Sequence, residues 1–441
     1  MLLLLTGCAQ PPLAATRVAY KTLEAAPERQ ALALTIYEGG QALVRDTRRA
    51  TLPAGEATLR FPDVSNLADG ATVQLRALAG GPLAVLEQAF DPGSLAPAKA
   101  LAAFVGKEIE VKLADRITKA VLVSTDGPMV RIDGKLYLKP PGEIVLPEAP
   151  PGLEPTPTLT WRVRANGASA FEAGYMTGGL SWNAHYDLTL APGASQGRLA
   201  AWAAVQNQTS AAFSPAHLTV VAGRLTAGGG FPFFARAETA AAPAPAAPTS
   251  AVDEFHRYDL GPALTLPADQ TRQWPLLDER SVALARTYRF ESYAGSSDIA
   301  PRAARVRITL DALDVPLAAG RYQVYAEDGT LVGRADAGDL PPGEQARLDT
   351  GSATDVVGEH RQAAVQTVAA KVREESYAIT LRNHKAEAVT VDVIEHPSGD
   401  WRATTQSTPG TRIDAGELDF RLAVPAGGAS RLTYTIRVQD P

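Results

Sequence analysis

The chain runs to 441 residues, 45% of them hydrophobic and 20% charged, with a formal net charge of −6. That length fits about two to four domains with sizeable cores, and the negative balance argues against a nucleic-acid binder, which would carry a basic patch. Beyond Leu5 no apolar run approaches the ~18 residues of a membrane helix, and a single cysteine excludes a disulfide framework.

The first segment, MLLLLTGCAQPPLAAT, ends its apolar run at that cysteine, Cys8. Leu5-Thr6-Gly7-Cys8 resembles the lipobox of bacterial lipoproteins at every position. The resemblance implies cleavage ahead of Cys8 and its acylation. Several acyl chains, each contributing about 0.8 kcal/mol per buried methylene, suffice for stable anchoring. Ala9, rather than Asp, is similar to lipoproteins sorted to an outer membrane. The apolar run is shorter than the about 7–15 residues of a secretory signal and no Lys or Arg precedes it. The true start is therefore expected upstream, with residues 1–30 a truncated lipoprotein signal and a tether. Absence of other thiols suits an oxidising compartment.

Most of the remaining chain alternates apolar and polar residues with period two, the signature of half-buried strands. Residues 31–95 read as an N-terminal β module. Ala98 to Val105 could form one short helix before Gly106. Residues 96–150 read as a small barrel-like β unit, with tight turns at Asp126-Gly127 and Asp133-Gly134. The Pro-rich stretch 147–158 separates this unit from a β-sandwich module over 155–300, which contains a disordered Ala/Pro linker at 236–254. A second β-sandwich module is expected over 301–441. There Arg305 to Leu310, Tyr377 to Leu381, Val389 to Val393 and Leu432 to Val438 alternate cleanly. Thr354 to Arg373 has mixed spacing that favours neither helix nor strand.

An apolar residue, Pro, a small residue, then Gly or Asp recurs ahead of strands. It occurs at Leu52-Pro53-Ala54-Gly55, Leu266-Pro267-Ala268-Asp269, Leu340-Pro341-Pro342-Gly343 and Val424-Pro425-Ala426-Gly427. Proline withholds a ladder donor and the last position accepts positive φ, so each ends one strand and turns into another. Their unequal spacing excludes a solenoid or propeller repeat. The expected fold class is all-β: several antiparallel β-sandwich modules, the small barrel-like unit, and few or no long helices.

From residue 155 the blocks TWRV, GGLSWNAHYDLTL, LTVVAG, RYDL and TLPADQTRQWPLL follow one another. YRF, LPAGRYQVYAEDG, ESYAITLRNHKAEAVTVDVIEHPSGDW and VPAGGASRLTYTIRV complete the series. In that order they resemble the bacterial domain of unknown function 4139, over about residues 155–440. The stretch ALTIYEGGQALVRDTRRATLPAG resembles the region often found ahead of it. Related domains form the C-terminal half of mucoidy-inhibitor-like proteins. The resemblance implies a β-rich, exported, noncatalytic protein and carries no catalytic residues.

Reading the residues for chemistry leaves few candidates. Gly193-Ala194-Ser195-Gln196-Gly197 matches the nucleophile-elbow pattern, but it lies between two strand-like runs rather than before a helix, so a hairpin loop is expected. The six histidines show no metal spacing. His185 and Asp187 fall on one face of a strand, with Trp182 nearby; these three are the ligand or acid/base candidates. His384 is expected in a hairpin turn with Asn383 and Lys385. The five tryptophans, Trp161, Trp182, Trp202, Trp274 and Trp401, read mainly as core.

The function expected from this reading is that of an outer-membrane lipoprotein of the cell envelope. It would be membrane-anchored at Cys8 and would bind or scaffold another envelope protein or cell-wall glycan, with no cofactor, no metal and no nucleic acid. Two rivals are a periplasmic hydrolase assembled around His185 and Asp187, and a glycan binder with a groove floored by exposed aromatics.

Overall fold

The computed structural model describes residues 21–22, 27–93, 97–125, 127–148, 156–191, 195–224, 249–252, 255–295 and 298–439. Cys8 and most of the linker at 236–254 lie outside them. Among the described residues nearly all regular structure is β, the α-helix Pro97–Ala102 being the exception besides a 3₁₀ turn. No described helix is long and apolar enough to cross a membrane.

The period-two pattern becomes burial on one face. Along Glu28–Glu38 the residues Leu32, Leu34 and Ile36 point inward, and along Gln41–Arg49 Ala42 and Val44 do so. These two strands form a hairpin through Gly39 and Gly40, both at positive φ (95° and 85°), a conformation that costs glycine little. They sit at the centre of a seven-stranded sheet whose remaining strands come mainly from beyond residue 169. Ala170–Gly178 flanks the hairpin on one side and Phe213–Arg224, in parallel, on the other. Residues 31–95 and 155–300, which read as successive modules in the sequence, thus interleave in one sheet. Gly55–Pro62, Thr158–Ala165 and Leu83–Asp91 pair in a second, four-stranded sheet. One hydrophobic core, from Leu32 to Leu348, joins both sheets to the first part of a larger one.

That larger sheet contains thirteen strands, ten of them on its main path, and is continuous through two long strands of 24 residues, Gln270–Tyr293 and Ala346–Ala369. The first pairs with Gln196–Asn207 over its initial half, then with Ile299–Leu310 and Val389–His396. It passes from the first core into a second one, where Phe290, Val391, Val393 and Phe420 meet Tyr377, Ile379, Leu432 and Tyr434. Thr354 to Arg373, ambiguous as sequence, falls in Ala346–Ala369 and the start of Val372–Asn383. Register shifts at Gln362/Ala364 and Thr367/Ala369 break the two-residue parity there, which is why the alternation fades.

The two sandwiches repeat one arrangement. In the first, Gln196–Asn207 pairs with Gln270–Tyr293 and Phe213–Arg224 pairs with Phe255–Leu266. In the second, Val372–Asn383 pairs with Ala429–Gln439 and Val389–His396 pairs with Leu418–Val424. The same buried asparagine fastens each. Asn207 Nδ2 donates to the carbonyls of Ala211 (2.8 Å) and Pro267 (2.9 Å), and its Oδ1 accepts from Thr209 N–H (2.9 Å). Asn383 Nδ2 donates to Glu387 (2.8 Å) and Pro425 (3.1 Å), and its Oδ1 accepts from Lys385 N–H (3.0 Å). The turn series Leu266-Pro267 and Val424-Pro425 therefore occupies equivalent corners. His384 does not lie in a hairpin: the strands on either side of it pair with different neighbours, so the turn is a crossover between facing sheets. Replacing either asparagine by alanine leaves buried carbonyls without donors and is expected to lower stability by about 1–3 kcal/mol. Urea unfolding checks this; an unchanged midpoint would remove the asparagines from the account of the corners.

Residues 97–148 have their own core of Phe104, Ile109, Val111, Leu122 and Val130. Five short antiparallel strands run in the order Lys135–Tyr137, Met129–Ile132, Ile117–Ser124, Glu108–Lys112, Glu143–Val145. Asp133 and Gly134 form the expected tight turn, both at positive φ (48° and 76°). The sheet does not close: its edge strands have three residues each and do not pair with each other, so the unit is barrel-like only in its curl.

Candidate functional site

His185 and Asp187 occupy the outward face of strand Leu180–Leu190, half-buried, as their spacing requires. Trp182 points the other way, into the core, where its Nε1 donates to the Val221 carbonyl at 3.1 Å and its ring meets Tyr258 at 6.2 Å. An even-odd difference in strand position separates it from the other two. Neither His185 nor Asp187 makes a hydrogen bond or ion pair with a described residue. The register places Trp202 on one side of His185 and Arg321 on the other, and Arg321 is paired with Asp336 at 3.2 Å. Trp161, Trp182 and Trp401 are buried, while Trp202 and Trp274 are half-buried. Ser195 directly precedes Gln196–Asn207, which pairs antiparallel with Leu180–Leu190, so no helix follows the serine; Gly193 and Ala194 lie outside the described residues.

The structure brings together a different set of titratable groups in the second core. Ser292 and Glu395 are register partners on parallel strands, and both are fully buried, as is His360 from Ala346–Ala369. Glu395 accepts from Ser292 Oγ and from Tyr434 O–H (2.7 Å), and lies 3.6 Å from His360 Nε2. The His360 ring stacks on Tyr377 at 5.1 Å, and Tyr377 on Tyr434 at 5.2 Å. Burial pushes the Glu395 carboxyl up to about 7, against the opposing effect of its two hydroxyl donors. Burial also pushes the His360 imidazole below its ordinary range. A serine, an imidazole and a carboxylate are the ingredients of acyl transfer, but the order of contacts is wrong for it. Ser292 donates to the carboxylate rather than to the imidazole, and all three are closed to solvent. The cluster can hold a proton; it cannot meet a substrate in this arrangement. No local sequence signal marks it, because its members come from five strands that only the sandwich superimposes.

Open chemistry lies between the sandwiches. A cleft of about 840 Å³ is floored by Tyr288, Val306 and Ile308, from the long strand and its neighbour. One wall carries Glu327 and Asp328, in the turn of the first sandwich's outer hairpin; the other carries Asp355, Lys385 and Glu387 beside the Asn383 corner of the second. Arg286 projects into it with a buried Nε that has no hydrogen-bond partner. An apolar floor with rims of both charge signs suits a peptide or protein segment better than a small apolar ligand. Among the described residues no three His, Cys, Asp or Glu side chains gather as a metal site.

A family model described as a domain of unknown function (DUF4139) matches residues 171–441, which takes in both sandwich repeats and the cleft between them. No curated protein matches the chain.

Proposed function

The chain belongs to the family of the domain of unknown function DUF4139, and from that premise we propose an exported envelope lipoprotein, held to the outer membrane through Cys8, that binds or scaffolds rather than catalyses. The observation that carries this reading is the division between closed and open chemistry. The serine–imidazole–carboxylate cluster is sealed in a core, whereas the open cleft is walled by both sandwiches and offers an apolar floor with charged rims. Such a surface selects a partner by shape and charge complementarity. The partner class is another envelope protein.

Crosslinking in intact cells, followed by pulldown from washed envelopes, tests the role. Recovery of one protein at near-stoichiometric yield is expected, and it should fall when Lys385→Glu reverses a rim charge. Recovery of none, together with turnover of an ester, peptide or glycan panel, would replace scaffolding with hydrolysis. The anchor is tested separately: Cys8→Ala should move the protein from the membrane pellet to the soluble fraction. A mutant that still sediments with membranes ends the lipid-anchor reading.

A further inference from the structure

We propose that the pairing of Gln270–Tyr293 with Ile299–Leu310 carries a binding site for a phosphoryl group, built from Arg289, Arg302 and Arg305. The site does not involve the lipid anchor, and it shares one lining residue, Ser352, with the partner-binding cleft.

Arg289 and Arg305 are direct register partners on these antiparallel strands. Like charges directly opposite each other repel and destabilise a sheet, so their placement calls for an anion between them. Arg302 approaches from the start of the second strand, with its guanidinium 5.3 Å over the Phe290 ring and a hydrogen bond to the Glu291 carbonyl. All three line a cavity of about 400 Å³, to which Tyr293 and Ser352 contribute polar groups. The Nε of Arg289 is buried and has no hydrogen-bond partner. No hydrogen bond or ion pair ties Arg305 to a described residue.

Of the nearby carboxylates, Glu291 lines the same cavity, and Asp392, the register partner of Arg289 on Val389–His396, lies 3.9 Å from Arg421. Glu291 accepts from His396 Nε2 at 2.8 Å and lies 3.8 Å from Arg289 Nη2. Its hydrogen bond with His396 and the adjacent arginines hold its carboxyl below the usual range in spite of burial, so it stays ionised and matched by His396. Asp349 is gripped by Arg307 through two bonds of 2.8 Å. Three guanidiniums thus share the cavity with one carboxylate, Glu291, which also serves His396. A carboxylate has one negative charge and two oxygens. A phosphoryl group has about −1.5 to −2 charges and three acceptor oxygens, which meet several guanidinium forks at once.

The same group could arrive as free phosphate, on a soluble sugar phosphate or on a lipid headgroup, and the experiment separates these. The full chain carrying Cys8→Ala is titrated calorimetrically with inorganic phosphate, at an ionic strength held constant with chloride. Saturable binding at one site is expected, weakened about tenfold in Arg305→Gln and in Arg302→Gln, each the loss of one charged hydrogen-bonding arm. Unlike Arg302, which holds the Glu291 carbonyl, Arg305 is exposed and makes no such contact, so in Arg305→Gln the thermal midpoint without ligand should not move. Tighter binding of glucose 6-phosphate than of phosphate identifies a soluble phosphorylated ligand. Retention on phosphatidic acid vesicles but not on phosphatidylcholine vesicles, lost in Arg305→Gln, identifies a headgroup. Phosphate heats equal to the chloride blank, or affinities equal in wild type and both variants, overturn the site.

Discussion

Asp46→Ala is expected to destabilise the protein by about 3–5 kcal/mol, the cost of leaving a buried charge without its partner. Asp46 lies on the inward face of Gln41–Arg49 and is 1% exposed, and Arg48 two positions along is 3% exposed. Arg48 Nη2 binds Asp46 Oδ2 at 2.7 Å and the Pro62 carbonyl at 2.7 Å, with its guanidinium 4.6 Å over the Phe61 ring. Arg29 reaches the same carboxylate at 3.0 Å from the paired strand. Removing Asp46 strands Arg48 between two sheets, where neither water nor another acid can replace the lost acceptor. The control is Asp46→Leu combined with Arg48→Met, which removes both charges and retains volume; it should recover most of the loss, because a well-packed apolar pair can match a buried ion pair. Urea unfolding of the three variants decides the matter. A single-variant loss under about 1 kcal/mol would mean that the cluster is hydrated and not part of the core.

The second large effect is pH-dependent. Glu395 has an ordinary carboxyl value of 4.5 when unfolded and is pushed up to about 7 in the folded protein, chiefly by burial. A raised carboxyl means that the folded state holds a proton which the unfolded state releases. Its contribution to stability is therefore complete below about pH 4.5, is lost as pH rises to about 7, and is constant above. At about 1.36 kcal/mol per unit the loss amounts to about 3 kcal/mol. Glu395→Gln keeps the shape and cannot ionise, so it should match wild type at pH 4.5 and exceed it by about 3 kcal/mol at pH 8. His360 acts in the opposite direction: its lowered value makes stability fall as pH drops below 6.5, in wild type and variant alike. The difference between the two stability curves isolates Glu395. A difference that does not change between pH 4.5 and 8 would show that the carboxyl is already ionised, paired with a protonated His360 at 3.6 Å.

Neither effect was visible from the linear chain, and the reason differs in each. Asp46 and Arg48 continue the face of Ala42 and Val44, but their charge does not tell whether that end of the strand is covered. Only the second sheet, bringing Phe61 and Pro62 over them, makes that position interior. Glu395 takes the next inward position after Val389, Val391 and Val393, and nothing local shows that Ser292, His360 and Tyr434 close over it. His185 and Asp187 were placed correctly on one face by period alone, and Trp182 fell on the other by the same rule. What the rule could not say is whether anything converges on that face. The Asn207 and Asn383 corners likewise share a short local pattern, asparagine before a crossover and proline before a returning strand. Unequal loop lengths between them hid the repeat.

Alternation along the chain was enough to determine that this protein is built from strands, and proline-glycine chemistry was enough to determine where many of them turn. Both are properties of a few consecutive residues, set by backbone dihedrals and by which side of a pleat meets water. The tertiary structure alone decided that Glu28–Glu38, Gln41–Arg49 and Gln74–Ala79 are woven into the sheet of the next module. It alone decided that two long strands run through both sandwiches, and that the acid–imidazole cluster is closed while a cleft and an arginine-lined cavity are open. Those outcomes depend on which strand lies beside which, a choice made by the packing of whole faces across hundreds of residues and carried by no single segment.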